Sequence, residues 1–331
     1  MYNRKCKAKI ISLSLALLLV ISTIGGFMSQ SFTAEAADTD IIEISNEDEL
    51  ISFANSCRND SYSFGRKVKL TSDISITKDG FEGIAYFNGT FDGGNHTIRN
   101  LNKEYIGSDY GFFRYLGEDA YVYNLSVSGT ITASGSQKNI GGIAGVNKAG
   151  ARLINCNSDA DISATNQTGG IAGNNQGIIS GCISRSKVNT NELNSSFDIG
   201  GVDVGTLNIT QHVVDRNDMG GIAGYSTGVI SDSTNYGAVG YSHMGYNAGG
   251  IVGNQKGKVY NCTNEGSVYG RKDVGGIVGQ AQPYIESEYL NDRVNQLSES
   301  VDSIGNIMSG LSSSIGDTSA EVSGYVESLT E

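Results

Sequence analysis

The block GGIxG occurs five times, at Gly141–Gly145, Gly169–Gly173, Gly220–Gly224, Gly249–Gly253 and Gly275–Gly279. Its first glycines are 28, 51, 29 and 26 residues apart. A repeat of this period constrains the fold before any local motif does. Each copy is one supersecondary unit, and it buries its apolar face only against its neighbours in a stack.

Beyond the block, the repeats align as columns. A glycine follows at Gly150, Gly177, Gly228 and Gly257, then an aliphatic residue at Leu153, Ile179, Ile230 and Val259. Next come Cys156, Cys182, Ser233 and Cys262, with Leu125 in an earlier rung that lacks the block. The last aliphatic column is Ile131, Ile162, Val188, Val239 and Val268, preceded two residues earlier by small residues such as Gly129, Ala160 and Ser186. Three short extended pieces per repeat, each ending in a turn, predict an all-β fold. The expected architecture is a right-handed parallel β-helix over 121–282, with three strands per rung and neighbouring strands about 4.8 Å apart. Hexapeptide helices want shorter coils and no repeated Gly-Gly. Glycine at 45 of 331 residues with a single proline, Pro283, suits many tight turns and excludes collagen.

Residues 38–120 are expected to supply an N-terminal cap and first irregular coils. Ser45-Asn46-Glu47-Asp48 resembles a capping box with Ser45 at the cap, leading into a short helix whose apolar face is Leu50, Ile51, Phe53 and Ala54. Short strands follow around Val68–Leu70 and Ile74–Ile76, and two more flank Asp92-Gly93-Gly94-Asn95.

The ends carry different signals. Arg4, Lys5, Lys7 and Lys9, an apolar run Ile10–Ile24 and a small-x-small site at Ala34-Glu35-Ala36 describe a signal peptide over 1–36. The run is about 15 residues against the roughly 20 of a spanning helix, which favours cleavage over an anchor. No other stretch spans a bilayer. Cleavage takes the net charge from −12 to −15, and an acidic chain without a basic cluster repels nucleic acid. From Leu290 the apolar residues change period: Val294, Leu297, Val301, Ile304, Met308, Leu311, Ile315, Val322, Tyr325 and Leu329 alternate steps of four and three once Thr318 is counted. Residues 283–331 therefore predict a coiled-coil helix, truncated here, whose partner is another chain or a later helix of the same one. Gly305, Gly310 and Gly316 fall outside the seam and weaken the helix alone.

Between Val188 and Gly220 the rhythm breaks. Residues 189–219 form an insertion that includes Gly200-Gly201-Val202-Asp203-Val204-Gly205, a near-copy of the block. Such insertions carry a solenoid's binding function or are tolerated surface excursions. Phe197, Asp203 and Asp215 are the candidate ligand-binding residues on it.

The chemistry-bearing residues point away from catalysis. Cys156 and Cys182 stand one rung apart, within conceivable reach of a disulfide, but parallel stacked side chains favour reduced, packed thiols. Stacked cysteines do not converge on a metal. His96, His212 and His243 are the only histidines, and they build neither a nucleophile triad nor HExxH. Asp198, Asp203, Asp215 and Asp218 cluster in sequence, and Asp159 and Asp161 alternate along one rung. A polysaccharide-degrading enzyme needs such carboxylates to converge, whereas on an acidic surface they are solvated. Tyr225, Tyr236, Tyr241, Tyr246, Tyr260 and Tyr269 could form an aromatic patch or shield strand edges. No catalytic, metal or cofactor site is expected.

GGIAG or GGIVG, a glycine, then aliphatic-x-x-Cys resembles the GLUG-motif repeats of bacterial surface proteins over about residues 40–282. FNGTFDGGNHTIRNL at Phe87–Leu101, followed by Tyr110-Gly111-Phe112-Phe113, is similar to the segment that precedes those repeats. The resemblance extends to adhesins and to the non-catalytic N-terminal region of immunoglobulin-A-specific metalloproteases. It implies an exported, surface-exposed β-helix that displays a binding surface for a host or matrix glycan or protein. The alternatives are a polysaccharide-degrading β-helix and the accessory region of a larger secreted protease.

Overall fold

The computed structural model describes residues 41–134, 136–191 and 216–283, with 301, 303, 304, 307–311, 318 and 323. The leader expected at 1–36 and the candidate residues Phe197, Asp203 and Asp215 lie outside the described residues. Met1–Gln282 forms one compact unit and Pro283–Glu331 another.

The first unit is a parallel β-solenoid of the right-handed type, with about seven turns. Among the described residues its strands stack into four sheets. Sheet A runs from Ile42–Ile44 to Lys258–Tyr260, sheet B from Ile74–Ser75 to Thr263–Asn264, sheet C from Ile84–Phe87 to Val278–Ala281, and sheet D from Lys138–Gly141 to Lys272–Gly275. A rung thus has four sides where the sequence spacing predicted three. One rung reads Lys138–Gly141, Ala144–Asn147, Arg152–Ile154 and Asn157–Ser163. The GGIxG block is not a side but a corner: its first glycine ends a sheet D strand and its third lies inside a sheet C strand. Two residues lacking Cβ turn the chain so sharply that two sides read as one continuous piece.

The glycines answer to sterics at each position. A Cβ on Gly169 would stand 2.7 Å from the Cα of Ala223 in the next rung. One on Gly170 would collide with the Gly221 carbonyl and the Ser184 hydroxyl, and one on Gly173 with the backbone at Asn139 and Ile140. Corners elsewhere use left-handed residues. Asn124, Asn155, Gly181, Asp232 and Asn261 all have φ between 50° and 64° where sheet A gives way to sheet B. Asp109, Asn139, Gln167, Asp218, Asn247 and Asp273 do the same beside the glycine block. Asn and Asp tolerate this region because a short polar side chain can bond locally. Asn247 Nδ2 donates to Asp218 Oδ1 at 2.7 Å, tying one such corner to the next.

The predicted interior columns are in register. Leu153 pairs with Val122 and Ile179, Ile179 with Ile230, and Ile230 with Val259. Ile131, Ile162, Val188, Val239 and Val268 likewise follow one another. In the N-terminal rungs the same interior holds phenylalanines, with the Phe91 and Phe113 ring centroids 5.3 Å apart. Before residue 121 the coils already stack, since Ile42–Ile44, Lys67–Leu70, Thr90–Asp92 and Tyr121–Tyr123 are successive parallel strands of sheet A, although among the described residues sheet D begins only at Lys138–Gly141. The helix spans Glu47–Ser56, one residue beyond the expected start. Asn46 rather than Ser45 is its N-cap, accepting from the Glu49 N–H at 3.1 Å. Glu49 in turn accepts from the Ser45 N–H at 2.7 Å. Leu50, Phe53 and Ala54 are buried, and Phe53 lies 6.2 Å from Phe87.

The cysteine column has a hydrogen-bonding role that packing alone did not suggest. Cys156 N–H donates to Cys182 Sγ at 3.4 Å, and Cys182 N–H donates to Ser233 Oγ at 3.2 Å. Each side chain also donates back to a carbonyl two residues earlier, as Ser233 Oγ does to Ser231 O at 2.7 Å. Sulfur and oxygen can both take this place, which explains the exchange of Cys for Ser within the column. All four described cysteines are free thiols. Burial pushes the Cys57 thiol up to about 12 and that of Cys182 well above its ordinary value, so neither is a thiolate at neutral pH.

Two substitution pairs test these assignments. Gly170→Ala is expected to destabilise by about 1–3 kcal/mol through overpacking. Gly276→Ala, at the equivalent position of the last rung with nothing within 4 Å, should be neutral to within about 0.5 kcal/mol. Cys182→Val removes the acceptor of the Cys156 N–H and should cost about 1–3 kcal/mol, whereas Cys182→Ser should cost distinctly less. Urea unfolding of the four variants measures both contrasts.

Candidate functional site

Sheet B presents an open depression of about 490 Å³. Its floor is set by strand alternation: Val127, Ser158 and Ile162 point inward, so Ser126, Ser128, Asn157 and Asp159 point out. Register aligns Thr97, Ser126, Asn157 and Ile183 in one row, and Ser128 beside Asp159 in the next. Short hydroxyl and amide side chains leave the floor low. Arg99 and Arg185 rise among them on the first and last of these rungs.

The polar groups are held in place. Asn157 Nδ2 donates to Ser126 Oγ at 3.1 Å. Arg99 donates to Asp73 at 2.7 Å, and Asp73 also accepts from the Thr97 N–H at 2.9 Å. Those bonds, the backbone one first, hold the exposed Asp73 carboxyl below its ordinary value. The Arg185 guanidinium lies 5.1 Å from the Tyr236 ring centroid. Asp159 and Asp161 both face solvent, as alternation along one rung predicts, and Asp161 meets Lys187 at 3.7 Å. Such an arrangement can bind an extended polar ligand through hydroxyls, an amide and two guanidinium groups. The described carboxylates with shifted pKa, Glu47, Glu49 and Asp73, are all shifted downward, opposite to what a general acid requires. Among the described residues no group of three or more His, Cys, Asp or Glu side chains could hold a metal, and no helix is long and apolar enough to cross a membrane.

The tyrosines do not form the single patch that their clustering in sequence suggested. Tyr225 is on sheet C, Tyr246 on sheet D and Tyr260 on sheet A. Several carry a cation instead: Lys256 lies 5.5 Å from Tyr225 and Arg271 5.9 Å from Tyr246. A pair overlooked in the sequence, Tyr86 and Tyr115, is in register on sheet C, with the Lys148 ammonium 5.2 Å and 5.8 Å from their rings. Asp60, Arg114 and these three line a depression of about 310 Å³. Its signal was the recurrence of tyrosine at one repeat position.

The insertion ends earlier than expected, because Asn217–Gly220 is a regular sheet D strand and Asp218 belongs to a corner. The excursion leaves from the sheet B strand Lys187–Val188 and returns at Arg216. Arg216 is 4% exposed, and burial pushes its pKa down. Its guanidinium donates to Asn189 O at 2.8 Å, Asn191 O at 2.9 Å and Ser163 Oγ at 3.2 Å. It therefore fastens both roots of the excursion to the sheet that carries the depression. Arg216→Met should destabilise by about 1–3 kcal/mol in urea unfolding, since buried carbonyls lose their donor. Arg216→Lys should recover only part, because a single ammonium cannot reproduce the fork.

Residues 244–269 match the sequence family described as the GLUG motif. None of the curated proteins matches the chain. Among solved structures, a protein from Bacteroides ovatus described as a candidate immunoglobulin A1 protease is similar with a TM-score of 0.51 and 20% identity. The match covers 72% of this chain and 69% of that one. At this identity the likeness concerns the fold. The GLUG match thus falls on one rung of the solenoid, and the neighbouring rungs stack in register with it.

Proposed function

We propose that the chain is an exported, non-catalytic surface scaffold that holds a glycan or glycoprotein against sheet B. The observation that carries this reading is the depression of about 490 Å³, floored by Ser126, Ser128 and Asn157 between two arginines. A parallel ladder repeats such groups about every 4.8 Å without any moving part, which suits a rigid display surface for an extended polar ligand. The excursion rooted by Arg216 leaves from the same sheet and supplies a second contact. In this reading the helix Glu47–Ser56 covers the first rung, and the segment after Pro283 is a coiled-coil stalk.

A second reading is a polysaccharide-degrading enzyme, for which Asp159 is the single carboxylate that lines the same depression. The likeness to the Bacteroides ovatus structure favours a third, an accessory region of a secreted protease that presents its target to a separate catalytic part.

Immobilised polysaccharides and host glycoproteins provide the test. The protein should be retained on at least one, and the combined Asn157→Ala and Arg185→Ala variant should lose about tenfold or more in affinity, about 1.4 kcal/mol. Equal retention of that variant, or no retention of the parent protein, refutes the sheet B site. Turnover of a polymer that disappears in Asp159→Asn would establish the second reading instead.

A further inference from the structure

We propose that sheet C holds an anionic polysaccharide, its charges borne as carboxylates or sulfate esters, along a row that carries the same tyrosine–lysine station twice. The proposal goes beyond the sheet B reading and stands on a different sheet. Register fixes the row: Tyr86, Tyr115, Val146, Asn174, Tyr225 and Asn254 follow one another through successive parallel pairs. Strand alternation turns this row outward, because the next residues, among them Leu116, Asn147, Asn175 and Ser226, are buried. Lys148 and Lys256 are each the first residue after a sheet C strand. The Lys148 N–H donates to the carbonyl of Leu116, beside Tyr115, at 3.1 Å. The Lys256 N–H donates to that of Ser226, beside Tyr225, at 2.8 Å. The two ammonium groups then lie 5.8 and 5.5 Å from the Tyr115 and Tyr225 rings. One backbone geometry thus builds both stations. They are three ladder steps apart, about 14 Å, and on the rungs between them Gln176 and Thr227 take the lysine's place.

The side chains select the chemistry of the ligand. Tyr86, Tyr115 and Tyr225 are half-buried, and the Tyr115 hydroxyl donates to Asp109, so the rings are held as apolar area against which a pyranose can pack. Among the described residues neither Lys148, Lys256 nor Arg114 forms an ion pair with a carboxylate. Arg114 donates from Nε to the Asp109 carbonyl at 3.1 Å, and with Lys148, Tyr86 and Tyr115 it lines the depression of about 310 Å³. Asp60 is the single carboxylate in that lining, so the local balance is positive although the chain as a whole carries −12. Cations without an acid, set beside aromatic rings, fit a ligand that joins fixed negative charge to sugar rings. Stations repeated along the ladder fit a ligand that repeats too, because engagement of the second station is then intramolecular. A nucleic acid also joins charge to rings, but its phosphates call for a denser run of cations than lysines three rungs apart supply.

Retention of the full chain on immobilised polygalacturonate and on dextran sulfate tests the proposal and separates carboxylate from sulfate. Methyl-esterified polygalacturonate is the uncharged counterpart and needs no variant. The parent should bind at least one anionic polymer about tenfold more tightly than the methyl ester, and added salt should weaken that binding. Lys148→Met combined with Lys256→Met keeps apolar stems over the rings and should lose about tenfold or more, whereas the corresponding pair of Arg substitutions should retain the binding. Tyr225→Ala should weaken it as well. The combined Asn157→Ala and Arg185→Ala variant should bind the anionic polymer like the parent, so this proposal and the sheet B reading fail separately. No preference of the parent for either anionic polymer over the methyl ester, undiminished binding by the Met pair, loss of binding in the sheet B variant instead, or tighter retention on single-stranded DNA would each overturn the proposal.

Discussion

The close approach of backbone to backbone at the glycine corner is the constraint on which the rest of the solenoid depends. In the rungs from Lys138 on, the chain must turn from sheet D into sheet C while packed against equivalent corners of neighbouring rungs and the side chains of sheet B across the interior. Gly170 shows the demand plainly. Its missing Cβ is the space occupied by the Gly221 carbonyl and the Ser184 hydroxyl. A methyl group there would push two sheets apart, and because interiors are close-packed the strain would pass to neighbouring rungs. Among the described residues this position relaxes only at Gly276, in the last described rung.

Given that corner, the interior follows a simple rule of equivalence. Each residue meets its own counterpart one rung away, so a column is viable only if its residue packs and hydrogen-bonds with a copy of itself. Aliphatic columns satisfy this through shape. The Cys156, Cys182 and Ser233 column satisfies it through polarity, with Cys182 Sγ and Ser233 Oγ each accepting from the N–H of the preceding rung's column residue. Asn147 and Asn175 pair in the same way at 2.7 Å. These amide and thiol ladders satisfy many of the groups that would otherwise be buried without partners, a costly form of burial, although Asn147 Oδ1 keeps none.

The outer faces follow the same repetition. A ladder that stacks equivalents turns any outward position into a row, and the small residues of sheet B make such a row into a shallow floor. Arg185 and Arg99 stand above it because longer side chains occur at only some rungs. Where the floor instead carries tyrosines, as with Tyr86 and Tyr115, a lysine one rung on covers the rings. Hydrophobic faces are thereby screened with cations, which suits an acidic chain that keeps its sheets exposed.

How much of this was legible in the sequence depended on periodicity. Residues that recur at fixed spacing, such as Leu153, Ile179 and Ile230, declared their shared column, because stacking forces equivalents to be alike. The glycine block announced a stack but hid its own corner, since Gly-Gly in an extended run looks the same whether the chain passes straight or bends. The N-terminal rungs were harder to align because Phe87, Phe91 and Phe113 fill the interior that smaller residues fill later, and because no sheet D strand or glycine corner marks them among the described residues. Asn155 and Asp232 looked like ordinary turn residues, and only their φ values showed a column of left-handed corners. The sequence by itself determined that the chain stacks, which residues face inward and where the rhythm breaks, because each is a local and repeated demand. Tertiary structure alone decided the number of sides, the assembly of Arg99, Asn157, Asp159 and Arg185 on one face, and the fastening of the excursion by Arg216. Those depend on how far the corners bend and on which distant residues the bend brings together.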